Sequence, residues 1–404
     1  MHYPVLSGAK SFRLLTILPG LGEEGIATKS FTAELPVIPG SSPRYDALSY
    51  VWGNQAEKRQ ISCNGQSIDV TLNLYSALVQ LRSEHDEHVL WIDQLCINQD
   101  DPEERSREVA IMGQIYGLAR KVIVWLGPSD SETSDIFTLF RELLKLRDFE
   151  ASEVYYLALG ERSHQTLDSS HRTQDEVDDA RTRVRPRFPP GAASIWKAVE
   201  RFLDRPWFHR VWTFQEVVLS DACTVYCGPC RMSWSDLSDA CQAIHHGGFD
   251  RYIGSKHCRV TLVQNQREIL YAGERSSLRY MLVLNRDRDA TDPRDKVYAL
   301  RGMLDGVVAR SIHVDYCISL YEVYAKAAKT SIKQDGNLAV LGAVEYRRTE
   351  ESRLKMPSWV PDWRYRGSTN VDLSMRRHNG STYFNASNGE RPRVILFPEA
   401  RSLD

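Results

Sequence analysis

Four short, nearly continuous apolar runs stand out in the first half of the chain, at residues 47–52, 89–92, 122–126 and 222–226. Runs of this kind, without polar alternation, predict strands covered on both faces, the pattern of a parallel α/β sheet. Between them the apolar spacing becomes helical. Leu72, Leu74, Leu78 and Leu81 form one stripe, with Thr71 placed to cap it. In the next helix Asp101 stands as the cap, Pro102 at the first helical position and Glu104 three residues after the cap. Val109, Met112, Ile115, Tyr116 and Ala119 then recur at helical spacing, and Arg120 and Lys121 close the helix where positive charge suits its dipole. Strand alternating with helix predicts a doubly wound sheet.

The pattern lapses over residues 129–191. A helix fits residues 135–146, but residues 164–190 are polar and rich in Asp, Arg, Ser and Thr, which predicts a mobile insertion. The organisation expected is therefore an α/β domain over 1–231 carrying that insertion, a mostly helical region over 232–366, and a polar tail over 367–404. A helix over 316–333 ending near Gly336 is the clearest element of the second region. Composition adds constraints rather than changes. The 404 residues are 42% hydrophobic and 26% charged, which is globular. A net charge of -2, with acids and bases interleaved, excludes a chain built to coat nucleic acid or anionic lipid. No apolar run approaches the ~20 residues that span a bilayer. Eight cysteines and an N-terminus without a basic-then-apolar leader point to free thiols in a cytoplasmic protein.

Candidate chemistry lies in three places. In the segment RPWFHRVWTFQE at 205–216, Pro206 suits a first helical turn, and Phe208, Trp212 and Glu216 then lie along one ridge, four residues apart. A carboxylate in line with two large aromatics is partly desolvated if the ridge faces inward; otherwise Glu216 reaches water or pairs with Arg210. Gly53, after a buried strand, permits either a ligand's close approach or a simple chain reversal. Asp93 and Asn98 follow a strand end, where open α/β sheets bind ligands, and they equally suit loop bracing. The pair Cys227 and Cys230 has redox or zinc spacing, but Gly228 and Pro229 more naturally turn a strand back on itself before a helix beginning around Ser233. P-loop, HExxH and GxSxG patterns do not occur.

YDALSYVWG at 45–53, LWIDQLCINQD at 90–100, Ile115-Tyr116 and VWLG at 124–127 resemble the fungal heterokaryon-incompatibility (HET) domain. So do WFHRVWTFQE at 207–216, DPRDKVYAL at 292–300 and PSWVPDW at 357–363, in the family's order. The resemblance implies a Toll/interleukin-1 receptor (TIR)-like, flavodoxin-like parallel sheet with added helices. It also implies a role in non-self recognition and regulated cell death. TIR enzymes cleave NAD with a glutamate four residues after a tryptophan, a spacing that Trp212 and Glu216 match. On that likeness NAD is the substrate, with no cofactor or metal, and Glu216 is catalytic. Trp212, Tyr50 or Trp52 would stack on a planar ring. Gly53 and Asn54, with Arg210, would meet the pyrophosphate, and Asp93 and Asn98 a ribose. Activation would involve a homo-oligomer and a protein partner or trigger; a non-enzymatic, self-associating signalling or scaffold module is the alternative.

Overall fold

Among the described residues nine strands hydrogen-bond into one sheet: β1 (Ser11–Ile17), β2 (Ala27–Glu34), β3 (Asp46–Tyr50), β4 (Lys58–Cys63), β5 (Gln66–Thr71), β6 (His88–Trp91), β7 (Lys121–Trp125), β8 (Cys223–Cys227) and β9 (Cys230–Ser233). The structure is a computed structural model that describes residues 3, 5–6, 8, 10–21, 24–35, 44–147, 193–246, 249–344 and 355–365. The predicted tail over 367–404 and most of the predicted insertion, residues 148–191, lie outside them.

The spatial order is β5-β4-β2-β1-β6-β3-β7-β8-β9. Its centre, β6-β3-β7-β8, is joined by parallel ladders. These are the four strands that the apolar runs predict, displaced by one or two residues. In chain order they lie second-first-third-fourth. The expectation of a wholly parallel sheet is corrected on both sides. β1 runs antiparallel to β6, and β9 antiparallel to β8. Beyond β1, β2 is antiparallel to it and parallel to β4, which forms an antiparallel hairpin with β5. That hairpin turns through Asn64 (φ 52°) and Gly65 (φ 79°), a left-handed pair that the Asn-Gly dipeptide favours.

β1 is buried at all seven positions although Arg13 sits in its middle. The guanidinium is satisfied internally. Nη1 donates to Glu104 Oε1 at 2.6 Å and to Cys96 O at 3.0 Å, and Nη2 donates to Glu104 Oε2 at 3.0 Å. A charge buried this way reads as a polar position in the sequence and hides the strand.

Helix α1 (Leu72–Leu81) starts on Thr71, whose hydroxyl accepts from Leu74 N. Helix α2 (Pro102–Leu118) starts on Asp101, whose carboxylate accepts from the amides of Glu103 and Glu104. Both caps stand where the sequence puts them. Glu104 does not reach back to the cap, because Arg13 and the amide of Asn98 take its carboxylate. Arg120, expected to close the helix, instead forks onto buried Asp46 with two bonds of 2.8 Å. Helices α3 (Thr133–Arg147), α4 (Ala193–Leu203), α5 (Trp212–Val218), α6 (Trp234–His246) and α7 (Cys258–Tyr271) follow.

The chain divides into two compact units, Met1–Glu274 and Arg275–Asp404, so α6 and α7 group with the sheet. In the second unit, α8 (Leu278–Leu284) and α9 (Leu320–Asp335) surround a set of buried cations satisfied by carbonyls. Arg286 donates to the carbonyls of Ala343, Asp362 and Tyr365 and lies 5.2 Å over the Trp363 ring. The predicted helix over 316–333 begins later, at a capping box made by Ser319 and Glu322, and ends on left-handed Gly336. Ser319→Ala should lower the stability of this unit by about 1 kcal/mol, read as a lower urea midpoint; an unchanged midpoint would show that the cap is dispensable. Among the described residues no helix is long and apolar enough to cross a membrane.

Candidate active site

The carboxyl ends of β3 and β6 bring together most of the residues singled out above. β3 ends at Tyr50, and the chain leaves it through Val51 and Trp52 to Gly53, whose φ of 76° suits glycine. β6 ends at Trp91, and Asp93 opens a helical turn two residues later. Asn73, at the start of α1, ties the chain leaving β3 to the last residue of β7. Its Nδ2 donates to Val51 O at 2.6 Å, and its Oδ1 accepts from Trp125 Nε1 at 3.0 Å.

The predicted ridge Phe208–Trp212–Glu216 does not form as one helix. Pro206–His209 is a 3-10 turn, Arg210 is extended (φ -70°, ψ 139°), and α5 begins at Trp212. Thr213 holds this kink, its hydroxyl lying on the carbonyls of Arg210 and Trp207. Trp212 and Glu216 remain one turn apart on α5, while Phe208 points into its own aromatic cluster with Trp207 and Phe202. All seven residues of α5 are buried.

Glu216 is 6% exposed, and its Oε2 has no hydrogen-bond partner among the described residues. Burial pushes its pKa up to about 7; Arg210 and the Ser49 hydroxyl oppose the rise, and Asp93 adds to it. Ser49 is itself oriented by Trp207, whose Nε1 donates to its Oγ at 2.9 Å. Tyr116 also faces the carboxyl and donates its hydroxyl to Leu48 O.

Asp93 is the second acid of the cluster. It accepts from Trp52 Nε1 at 2.8 Å and from the Gln94 amide at 2.7 Å, and the Tyr50 hydroxyl lies beside it while bonding Gln94 Oε1 at 3.1 Å. Desolvation raises its pKa, against the pull of Arg210 and these donors. Arg210 donates Nη1 to Tyr50 O at 2.8 Å, which fixes a cation that acts on both carboxyls. Trp52, Asp93 and Arg210 keep partial exposure whereas Glu216 and Tyr50 are buried. Two acids against one guanidinium, with one acid near neutrality, can receive a cationic group and can stabilise positive charge that develops during a reaction.

Two of the singled-out residues are occupied elsewhere. Asn54 builds its own exposed turn, accepting from the Ala56 amide and donating to Glu57. Asn98 accepts from the Asp100 amide and gives its own amide to Glu104, so it braces the loop after Asp93. Ser49, Gln94, Tyr116 and Trp207 enter the cluster from within the quoted motif blocks without being singled out there, and Asn73 enters from outside them; a polar Ser49 in an otherwise apolar run is a signal visible in the sequence. Cys227 and Cys230 face each other across the β8–β9 hairpin, turned by Gly228 (φ 52°), and both are free thiols. Burial pushes the Cys227 thiol up, and this outweighs the opposing pull of Arg205 and of the Thr133 hydroxyl, 3.9 Å away at the start of α3.

Residues 45–216 match the family model described as "Heterokaryon incompatibility protein (HET)". The chain is also 28% identical over 384 residues to "Heterokaryon incompatibility protein 6, OR allele" of Neurospora crassa, covering 81% of this chain and 54% of that protein. The chain therefore spans about half the length of the curated relative it matches. No solved structure matches. The HET match thus runs from just before β3 to Glu216 and spans both acids of the cluster and its cation.

Proposed function

With a HET domain as the premise, we propose that the chain acts in non-self recognition and regulated cell death in the cytoplasm, and that its site cleaves the nicotinamide–ribose bond of NAD. The TIR-like part of this reading is supported by the order of the four parallel strands and by Trp212 and Glu216 one turn apart on α5. The observation that carries the chemistry is Glu216 itself, a buried carboxyl with an orphaned Oε2 next to an indole, at the strand ends where open α/β sheets take ligands.

The C1′–N bond breaks with its electron pair leaving on nicotinamide, which departs neutral and needs no general acid. The sugar carbon becomes oxocarbenium-like and electron-poor. Ionised Glu216 supplies the opposing charge and accepts from ribose hydroxyls. Water adds to C1′ and releases one proton, giving ADP-ribose. Asp93 orients Trp52 and Tyr50, whose rings offer a stacking surface, and Arg210 balances the second carboxylate. Homo-oligomer formation on activation belongs to the same proposal.

The test incubates purified protein with NAD at several protein concentrations and follows nicotinamide by chromatography. Because Glu216 must be ionised, kcat/KM should rise with pH through an acid limb near 7. A flat profile from pH 5 to 8 would remove this role from Glu216. Silence at every concentration, with oligomers formed, favours the scaffold reading, for which β5 and β9, each paired on one side only, offer free sheet edges.

A further inference from the structure

The helix that carries Glu216 has seven residues, about two turns, too short to hold its own geometry. At its C-terminal end Val217 O accepts from Ser220 N at 3.2 Å and from Ser220 Oγ at 2.9 Å. A further donor reaches the same carbonyl from α7, fifty residues downstream and beyond the end of the HET match. Arg267, 7% exposed, donates Nη1 to Val217 O and to Ser220 Oγ at 2.8 Å, and Nη2 to Asp221 O at 3.5 Å. Nη2 also donates to Tyr271 Oη at 2.9 Å, and that hydroxyl bonds Ser220 O at 2.8 Å. Arg267 and Tyr271 are four apart on α7, so both lie on one face, and the guanidinium sits 5.4 Å over the Tyr271 ring. The fork is a rigid set of donors, and a cation at a helix C-terminus also complements the dipole. Val217 follows Glu216 directly, so the carbonyl that Arg267 grips belongs to the residue after the carboxyl-bearing one.

We propose that Arg267, supported by Tyr271, is a positioning residue for Glu216. It sets the carboxyl's aim by fixing the last turn of α5. This rests on the NAD-cleaving reading above. Arg267 touches no reacting atom and is not among the charges acting on the Glu216 carboxyl, which are those of Arg210 and Asp93. Its loss should therefore move geometry and leave the titration in place. A displacement of about 1 Å can cost up to about 100-fold in rate.

The experiment compares full-length wild type with Arg267→Met, Arg267→Lys and Tyr271→Phe. It measures kcat and KM for NAD, the acid limb of kcat/KM, and amide hydrogen exchange at residues 217–220. The result expected is a kcat lowered about 10- to 100-fold in Arg267→Met, with partial rescue in Arg267→Lys and a loss of a few-fold in Tyr271→Phe. KM should stay within about twofold, the acid limb should not move, and exchange at 217–220 should quicken in the same order. If Arg267→Met does not fold, the other two variants carry the comparison; Tyr271 is 57% exposed, and its ring is retained. Folded variants with faster exchange and full kcat would overturn the proposal, and so would a raised KM at constant kcat or a displaced acid limb. Wild-type protein that releases no nicotinamide would sink the NAD-cleaving reading instead. The exchange arm then decides alone, and unchanged protection in Arg267→Lys and Tyr271→Phe would overturn the clamp.

Discussion

Glu216→Gln should abolish nicotinamide release, by about three orders of magnitude or more, in a protein that folds as before. The amide keeps the shape of the carboxyl and loses the charge that an oxocarbenium-like sugar needs. Stability separates this effect from unfolding. The folded pKa of Glu216, about 7, stands above its ordinary value of 4.5. A raised carboxyl stabilises the fold while it is protonated, and that contribution is lost as pH rises from the ordinary value through the folded one. Above pH 7 the wild type carries a buried anion and the variant does not. The variant should therefore melt no lower than wild type at pH 8, with near-ultraviolet dichroism unchanged. Retained turnover in the folded variant would end the catalytic role of Glu216.

Glu104→Ala should destabilise the first unit by about 3–5 kcal/mol, because it strips the carboxylate from a buried guanidinium. The side chain of Arg13 is 2% exposed and that of Glu104 11% exposed. The Asn98 amide loses its acceptor at the same time, in the loop that follows Asp93. Replacing both partners with apolar residues, Arg13→Met with Glu104→Leu, should recover most of the loss, since the unpaired charge is then gone. Urea titration followed by tryptophan fluorescence reads both. A double variant as unstable as the single one would mean that the pair contributes by its geometry rather than by mutual neutralisation. The pair also predicts acid sensitivity. Arg13 and the Asn98 amide hold the Glu104 pKa below its ordinary value against burial, so its contribution is complete above that value and is lost as pH falls through the folded one.

The legible and the hidden parts of this chain divide along a physical line. The central strands could be read because a strand covered on both faces must be apolar along its length, and four runs are. The caps Thr71 and Asp101, with Pro102, could be read because capping is a bond between near neighbours. The same locality exposed the Cys227–Cys230 turn. Asn64-Gly65 is an equally local hairpin signal, yet β4 and β5 were not anticipated from it, nor were the antiparallel strands β1 and β2. β1 escaped because its central Arg13 is polar in sequence and neutralised only by a partner ninety-one residues away.

In the site, residue type and spacing were enough to single out Glu216, Trp212 and Asp93, and the HET resemblance added Tyr50 and Trp52. They were not enough to tell a carboxyl facing water from one enclosed beside Ser49, Tyr116 and Arg210, or to show that Asn54 and Asn98 are spent on their own loops. By itself, the sequence determined the alternation of parallel strands and helices, the caps and the identity of the acids, since each depends on contacts within a few residues. Tertiary structure alone decided that the sheet is mixed, that the aromatic ridge breaks at Arg210, that Glu216 is desolvated and that Arg267 grips its helix. Desolvation and long-range hydrogen bonding are properties of what surrounds a side chain, and those surroundings come from segments that sequence distance does not rank.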